Sequence, residues 1–238
     1  MNRTLIALIA VLLMLTPCAR AQTTYRPPGG HWSITVPAGW KVADDKRLQE
    51  INDTVAGMHR VTMTERIQYV VMLVPAKTDG KYALVQWSTG QPAGASFDSF
   101  VKGTTKGMNM GAQKARNALP DQIAGMSFDA PVVDRERQRL YLPATINAQT
   151  GENIRCISCP RPGVGETLTV HCYSTESHFD QNRPELIGII DSFTYDPGSE
   201  YTFSSFGGFS FPQAGIAGLL GGLGGLVIWG VRRFTGRR

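Results

Sequence analysis

The residues best equipped for chemistry are three cysteines in two neighbouring stretches, Cys156 and Cys159 in "ENIRCISC" and Cys172 in "TLTVHCY". Alternation along a strand puts Ile154, Cys156 and Ser158 on one face, and Leu168, Val170 and Cys172 on one face of the following strand. A hairpin turning around Gly163–Gly165 sets Cys156 opposite Cys172 on the buried face. A cross-strand disulfide there closes a short loop and stabilises by about 2–4 kcal/mol. Cys159 is then left on the side shared with His171, as a free surface thiol or as half of an intermolecular disulfide. Another pairing, or three reduced thiols, remains open.

Two further chemistries use the same residues. A redox pair Cys156/Cys159 would make the chain a thiol-disulfide oxidoreductase, but "CISC" falls in a strand, not at a helix N-terminus where a thiolate is stabilised. Zinc would need Cys156, Cys159, His171 and Cys172 to converge, whereas His171 and Cys172 point to opposite faces. No metal and no cofactor is expected. The sequence contains no G-x-S-x-G, H-E-x-x-H or Walker A pattern, and "GVGET" at 163–167 reads as a turn. His31, His59 and His178 are isolated in sequence, Trp40 and Trp87 read as core fillers, and "DRERQR" at 134–139 as a solvated turn. Asn52 opens an N-x-T sequon, meaningful only in a eukaryotic secretory pathway.

The elements that must hold these residues follow from periodicity. Trp32, Ile34 and Val36 alternate as a strand that turns at "PAG". Asp44 or Asp45 caps a helix carrying Leu48, Ile51, Val55 and Met58 on one stripe. "RIQYVVMLVP" and "YALVQWST" form an antiparallel hairpin across Asp79-Gly80. Ser96 caps a short second helix. Strands follow at "SFDAPVVDRE", "RQRLYLPATIN", "ENIRCISC" and "ETLTVHCYS", then a last helix with Pro184 near its first turn and a final strand at Phe193–Tyr195. Short connections between strands predict an α+β fold, an antiparallel sheet with flanking helices.

The strand ending in "VPAGW" and the last helix running into "DSFTY" resemble the PsbP-like and DcrB-like envelope domains over Trp32–Asp196. The resemblance implies an α/β/α sandwich used for binding or assembly support, with no shared catalytic centre.

The chain ends fix the expected address. Residues 1–21, with Arg3 before an apolar run and "ARA" at 19–21, read as a signal peptide, which removes Cys18. An exported domain at 22–198 and a juxtamembrane linker at 199–213 lead to an apolar segment at 214–231, about 27 Å long as a helix, and a basic tail at 232–238. Arg232, Arg233, Arg237 and Arg238 place that tail in the cytoplasm and the domain outside, in the periplasm of an inner-membrane protein. Gly215, Gly218, Gly222 and Gly225 form a small-residue face suited to helix packing and a homodimer. The run also resembles a processed C-terminal sorting tail. Setting aside Arg3, Arg20 and the four tail arginines leaves 18 Lys and Arg against 19 Asp and Glu, which excludes a basic nucleic-acid face. The function these features predict is non-enzymatic: a single-pass envelope protein whose domain binds or supports another envelope component.

Overall fold

The computed structural model describes residues 22–58, 67–77, 80–89, 96–115, 123–149 and 151–203. Residues 1–21, expected as a signal peptide, His59, and the apolar run with Gly215, Gly218, Gly222 and Gly225 lie outside the described residues. No helix among the described residues is long and apolar enough to cross a membrane.

The described chain is α+β, with two antiparallel sheets and three helices. The larger sheet runs in the order β3 (Trp40–Val42), β4 (Ile67–Pro75), β5 (Lys81–Thr89), β10 (Glu166–Thr175), β9 (Ile154–Pro162), β8 (Arg139–Ala148) and β6 (Ile123–Phe128), and β7 (Val132–Asp134) also pairs with β8. The smaller sheet sets β2 (Trp32–Val36) between β1 (Thr23–Tyr25) and β11 (Thr194–Tyr195). Helix α3 (Phe179–Ser192) packs with the smaller sheet on one face of the larger one. Helices α1 (Asp45–Met58) and α2 (Phe97–Ala115) lie on the other. The layers are those of an α/β/α sandwich.

Local chemistry explains most of the boundaries. Trp32, Ile34 and Val36 are buried as their alternation requires, and the chain reverses at "PAG" through a Trp40 N–H to Pro37 carbonyl bond and a Gly39 φ of 82°. Asp44 caps α1 by accepting from the Arg47 N–H at 2.8 Å, and Ser96 Oγ caps α2 at Ser99 N–H. Helix α2 spans 19 residues, longer than the short helix its capping residue announces. Phe97, Phe100 and Met108 anchor it against Leu140 and Leu142 of β8, so tertiary packing carries it past its glycines. Helix α3 begins at Phe179, which leaves Pro184 inside the helix, not at its start. "SFDAPVVDRE" breaks into β6 and β7 around Pro131.

Strand β4 is paired to β3 only from Leu73 to Pro75, so its earlier half faces outward. Helix α1 covers that edge. The Asn52 amide donates to the Tyr69 carbonyl at 3.0 Å and accepts from the Tyr69 N–H at 2.9 Å, reproducing the two bonds of a neighbouring strand. Asn52, the sequon residue, is thus a structural plug.

The C-terminal boundary also moves. Residues 199–203, expected to open a free linker, are bound to the domain. Ser199 accepts from the Val164 N–H, the Tyr201 N–H donates to Pro162, and Arg161 meets Glu200 at 2.9 Å. Phe203 then packs edge-on against Phe97 at 5.2 Å between ring centroids.

Candidate functional site: the thiols and the polar centre of the sheet

The β9–β10 hairpin that carries the cysteines is built around a two-residue loop. The Gly163 N–H donates to the Glu166 carbonyl at 2.9 Å, and Gly165 takes a φ of 84°. A turn centred on Val164 would set Cys156 opposite Cys172. The loop Val164–Gly165 shifts the register by one residue, pairing Cys156 with Tyr173, Cys172 with Ile157, and Cys159 with Val170. One residue of slip moves a side chain to the other face. Cys156 and Cys172 therefore lie on opposite faces, and the expected disulfide does not form: all three thiols are free and fully buried. Cys159 is correspondingly neither exposed nor on the His171 side. It shares a face with Cys172.

Burial pushes the Cys156 and Cys159 thiols up to about 12 and Cys172 well above the ordinary thiol range, outweighing the opposing pull of the Ser158 and Tyr173 hydrogen bonds on Cys156 and of the Arg139 charge on Cys159. A nucleophilic thiolate is not available at neutral pH. The expected redox pair is also split, since Cys156 and Cys159 point to opposite faces. Zinc ligation by Cys156, Cys159, His171 and Cys172 fails for the same reason, two ligands lying on each side of the sheet.

The face shared by α1 and α2 carries an unexpected polar centre. His171 pairs in register with Ser158 of β9, and its Nδ1 lies 2.7 Å from Ser158 Oγ. Ser158 Oγ lies 3.4 Å from Cys156 Sγ. Tyr69 meets the His171 ring edge-on at 6.4 Å, and Tyr173 stacks on both His171 at 6.3 Å and Tyr82 at 4.7 Å. Burial alone lowers the His171 imidazole to about 3, and burial, reinforced by the neighbouring Cys156 thiol, which also hydrogen-bonds Tyr173, raises the phenols of Tyr69, Tyr82 and Tyr173 well beyond their ordinary range. The cluster is uncharged. Sequence patterning places His171 and Tyr173 on one face of β10. That this face is buried under helices is a tertiary fact.

At the surface, the isolated histidines gain partners. His31 Nε2 donates to Glu166 Oε1 at 2.7 Å, while the Trp87 indole N–H donates to Oε2 of the same carboxylate at 2.8 Å. His31 also stacks on Tyr195 at 6.0 Å. This group ties the β1–β2 loop to β5, β10 and β11. His178 Nδ1 sits between the hydroxyls of Thr175 and Ser177. The two expected core tryptophans are oriented by carboxylates, since Trp40 donates to Glu185 Oε1 at 2.8 Å. Among the described residues no group of three or more His, Cys, Asp or Glu side chains is arranged to hold a metal ion.

This architecture, an antiparallel sheet between one C-terminal helix and two earlier ones, is a PsbP-like fold. The solution structure of the cyanobacterial PsbP protein CyanoP from Synechocystis sp. PCC 6803 superposes with a TM-score of 0.50 at 14% identity, covering 76% of this chain and 99% of that one. Looser likenesses include the Ran-binding protein Mog1p of Saccharomyces cerevisiae, with a TM-score of 0.43 at 7% identity over 74% of this chain and 96% of that one. Another is LpqN of Mycobacterium tuberculosis, described as involved in cell envelope biogenesis, with a TM-score of 0.40 at 11% identity over 74% and 91%. Neither a protein-family model nor a curated protein matches the sequence. The likeness is one of fold.

Proposed function

We propose that this chain is a non-catalytic envelope protein, exported by residues 1–21 and held by a single span at 214–231, whose PsbP-like domain binds or supports another envelope component from the periplasmic side of the inner membrane. The observation that carries the non-catalytic reading is the placement of the three thiols and His171 inside the sheet, where burial keeps them neutral and away from substrates. The same observation argues against the oxidoreductase alternative.

The docked strap 199–203 supports the tether. It delivers the chain from a fixed point on the β9–β10 hairpin and α2, leaving residues 204–213 to reach the apolar run. Extended, those residues span at most about 35 Å, which holds the domain near the bilayer surface. The glycine face of Gly215, Gly218, Gly222 and Gly225 would pair two spans, and Gly222→Ile then abolishes the dimer signal in a membrane two-hybrid assay.

Three measurements test the proposal. The full chain stays in the pellet through a carbonate wash, protease added outside spheroplasts digests the domain, and crosslinking in intact cells joins the domain to a reproducible protein partner. Release by carbonate removes the anchor. A protected domain reverses the topology, and catalysed reduction of insulin by the purified protein would replace the binding reading with the redox one.

A further inference from the structure

The strap at 199–203 is held to the domain as a bound peptide would be. Glu200 bridges Gly163 at the tip of the β9–β10 hairpin in antiparallel register, flanked by the bonds from the Val164 N–H to the Ser199 carbonyl and from the Tyr201 N–H to the Pro162 carbonyl. A strand added to a free edge in this way draws affinity from its backbone and specificity from its side chains. Two side chains are specific here. The Glu200 carboxylate accepts from Arg161 Nη2 at 2.9 Å, and the Phe203 ring lies 5.2 Å from that of Phe97 and 5.3 Å from that of Phe100.

The receiving side is built into the domain, whereas the strap is only laid on it. Arg161 is 5% exposed, donates to the Phe193 carbonyl at 3.1 Å and lies over the Phe193 ring. Gly163 is closed in by Tyr195, whose ring would stand 2.8 Å from an added Cβ. Phe97 and Phe100 belong to the core cluster beneath α2. The Glu200 side chain, by contrast, is 58% exposed, and the strap hangs from Gly198 at a φ of 84°, a joint free to take other paths. Segments with so few buried contacts open at the low end of the stability range. Opening strips the buried guanidinium of its carboxylate, frees the Pro162 carbonyl and the Val164 N–H, and bares Phe97 and Phe100. A buried charge without its partner is costly, so the vacated edge favours another occupant of the same chemistry.

We infer that the tip of the β9–β10 hairpin accepts an extended segment of a partner protein, with a carboxylate for Arg161 and, three residues later, an aromatic ring for Phe97 and Phe100. The strap at 199–203 is the internal ligand that fills this site until such a segment displaces it. Charge selects the occupant, because a lysine in place of the carboxylate would set a second cation against the buried guanidinium. Val164, at 60% the most exposed large apolar side chain among the described residues, stands on the same tip and gives a longer segment a further contact. Strap and partner compete for one site, so its occupancy follows their relative affinities. That the displacing segment belongs to an envelope component rests on the binding reading above. The site itself uses only residues of the domain, and its failure would leave the carbonate, protease and crosslinking outcomes as they stand.

Fluorescence anisotropy on the full chain in a mild detergent tests the site, with a fluorescein-labelled peptide of sequence GSEYTFS, residues 198–204, as the probe. A Glu200→Ala/Phe203→Ser variant removes both side-chain contacts of the strap. It should bind the peptide saturably and about tenfold more tightly than the wild type, whose own strap competes at high local concentration. On the same variant and in the same micelles, a peptide carrying Glu200→Lys should bind about tenfold more weakly. No saturable binding to the variant, equal affinity in variant and wild type, or equal affinity for the two peptides would overturn the inference. If the double variant loses its near-ultraviolet circular dichroism, Phe203→Ser alone replaces it, with an expected gain of about threefold over wild type and the same preference between the peptides.

Discussion

The two faces of the large sheet solve the same burial problem differently. The face under α3 is apolar at its centre, where Leu168, Val170 and Cys172 meet Leu186, Ile189 and Ile190. Its polar groups lie toward the ends and at the β8 side, where Arg139 and Arg155 keep buried N–H groups without a partner among the described residues, while the others are paired. Glu166 binds His31 and Trp87 at one end, and Asn182 donates to Ser174 Oγ at 2.9 Å at the other. The face under α1 and α2 reverses this arrangement, with apolar clusters at the flanks and the His171–Ser158 polar centre in the middle. A sheet that needed only stability would be built like the first face on both sides. The second face retains polar groups that cost stability where they stand, and such local exceptions are where function is sought.

The largest difference between the faces should appear on truncating apolar side chains. Leu186 is fully buried beneath the apolar face, and Leu186→Ala should cost about 3–4 kcal/mol in chemical denaturation, through lost transfer energy and the cavity left behind. A cost below about 1 kcal/mol would show that this face is not the rigid one.

Acid should attack the other face first. The imidazole of His171 titrates near 6.5 in the unfolded chain and near 3 in the folded one, because burial opposes its charge. Between those values only the unfolded chain takes the proton. Stability is therefore intact at pH 7 and falls as pH drops from about 6.5 toward 3, by about 2–3 kcal/mol at pH 4.5. His171→Gln, neutral throughout, should flatten that slope. Urea midpoints at a series of pH values check both statements, and a slope unchanged in the variant assigns the acid sensitivity elsewhere.

Legibility followed the range of the interaction. Caps at Asp44 and Ser96, the alternation of Trp32, Ile34 and Val36, and the hairpin at Gly80 are set by neighbours in sequence, and the structure contains them. The α+β class was legible through the strand and helix pattern, while the α/β/α layering came only with the resemblance to PsbP-like domains. What failed depended on half a residue or on distant partners. Centring the β9–β10 turn on Val164 or on Val164–Gly165 decides whether Cys156 meets Cys172 or Tyr173, and glycine content alone does not choose between them. Asn52 reads as a sequon because its partner, the edge of β4 at Tyr69, is created by folding. His171 looks like any strand histidine until two helices cover it.

Asn52 provides the next test, since it guards the flank where the polar-centred face meets solvent. Asn52→Ala removes both bonds to the Tyr69 backbone and opens the outer edge of β4. The expected cost is about 2 kcal/mol, with faster amide exchange confined to Ile67–Val71. Loss of stability without that local exchange would mean that the side chain acts through α1 alone.

The finest test of the comparison uses the same chemical change on both sides. Tyr195, on the α3 side, donates its hydroxyl to the Arg161 carbonyl at 2.8 Å, while the Tyr69 hydroxyl is buried without a partner among the described residues. Tyr195→Phe leaves a buried carbonyl short of its donor and should cost about 1 kcal/mol. Tyr69→Phe removes an unsatisfied group at nearly constant volume, so the domain should keep its stability or gain up to about 1 kcal/mol. Thermal midpoints of the two variants against wild type suffice to compare them. If both substitutions cost the same, the Tyr69 hydroxyl has a partner in solution and the contrast between the faces narrows to their apolar content. Opposite signs would establish that one face is arranged for cohesion and the other holds hydrogen-bonding capacity in reserve.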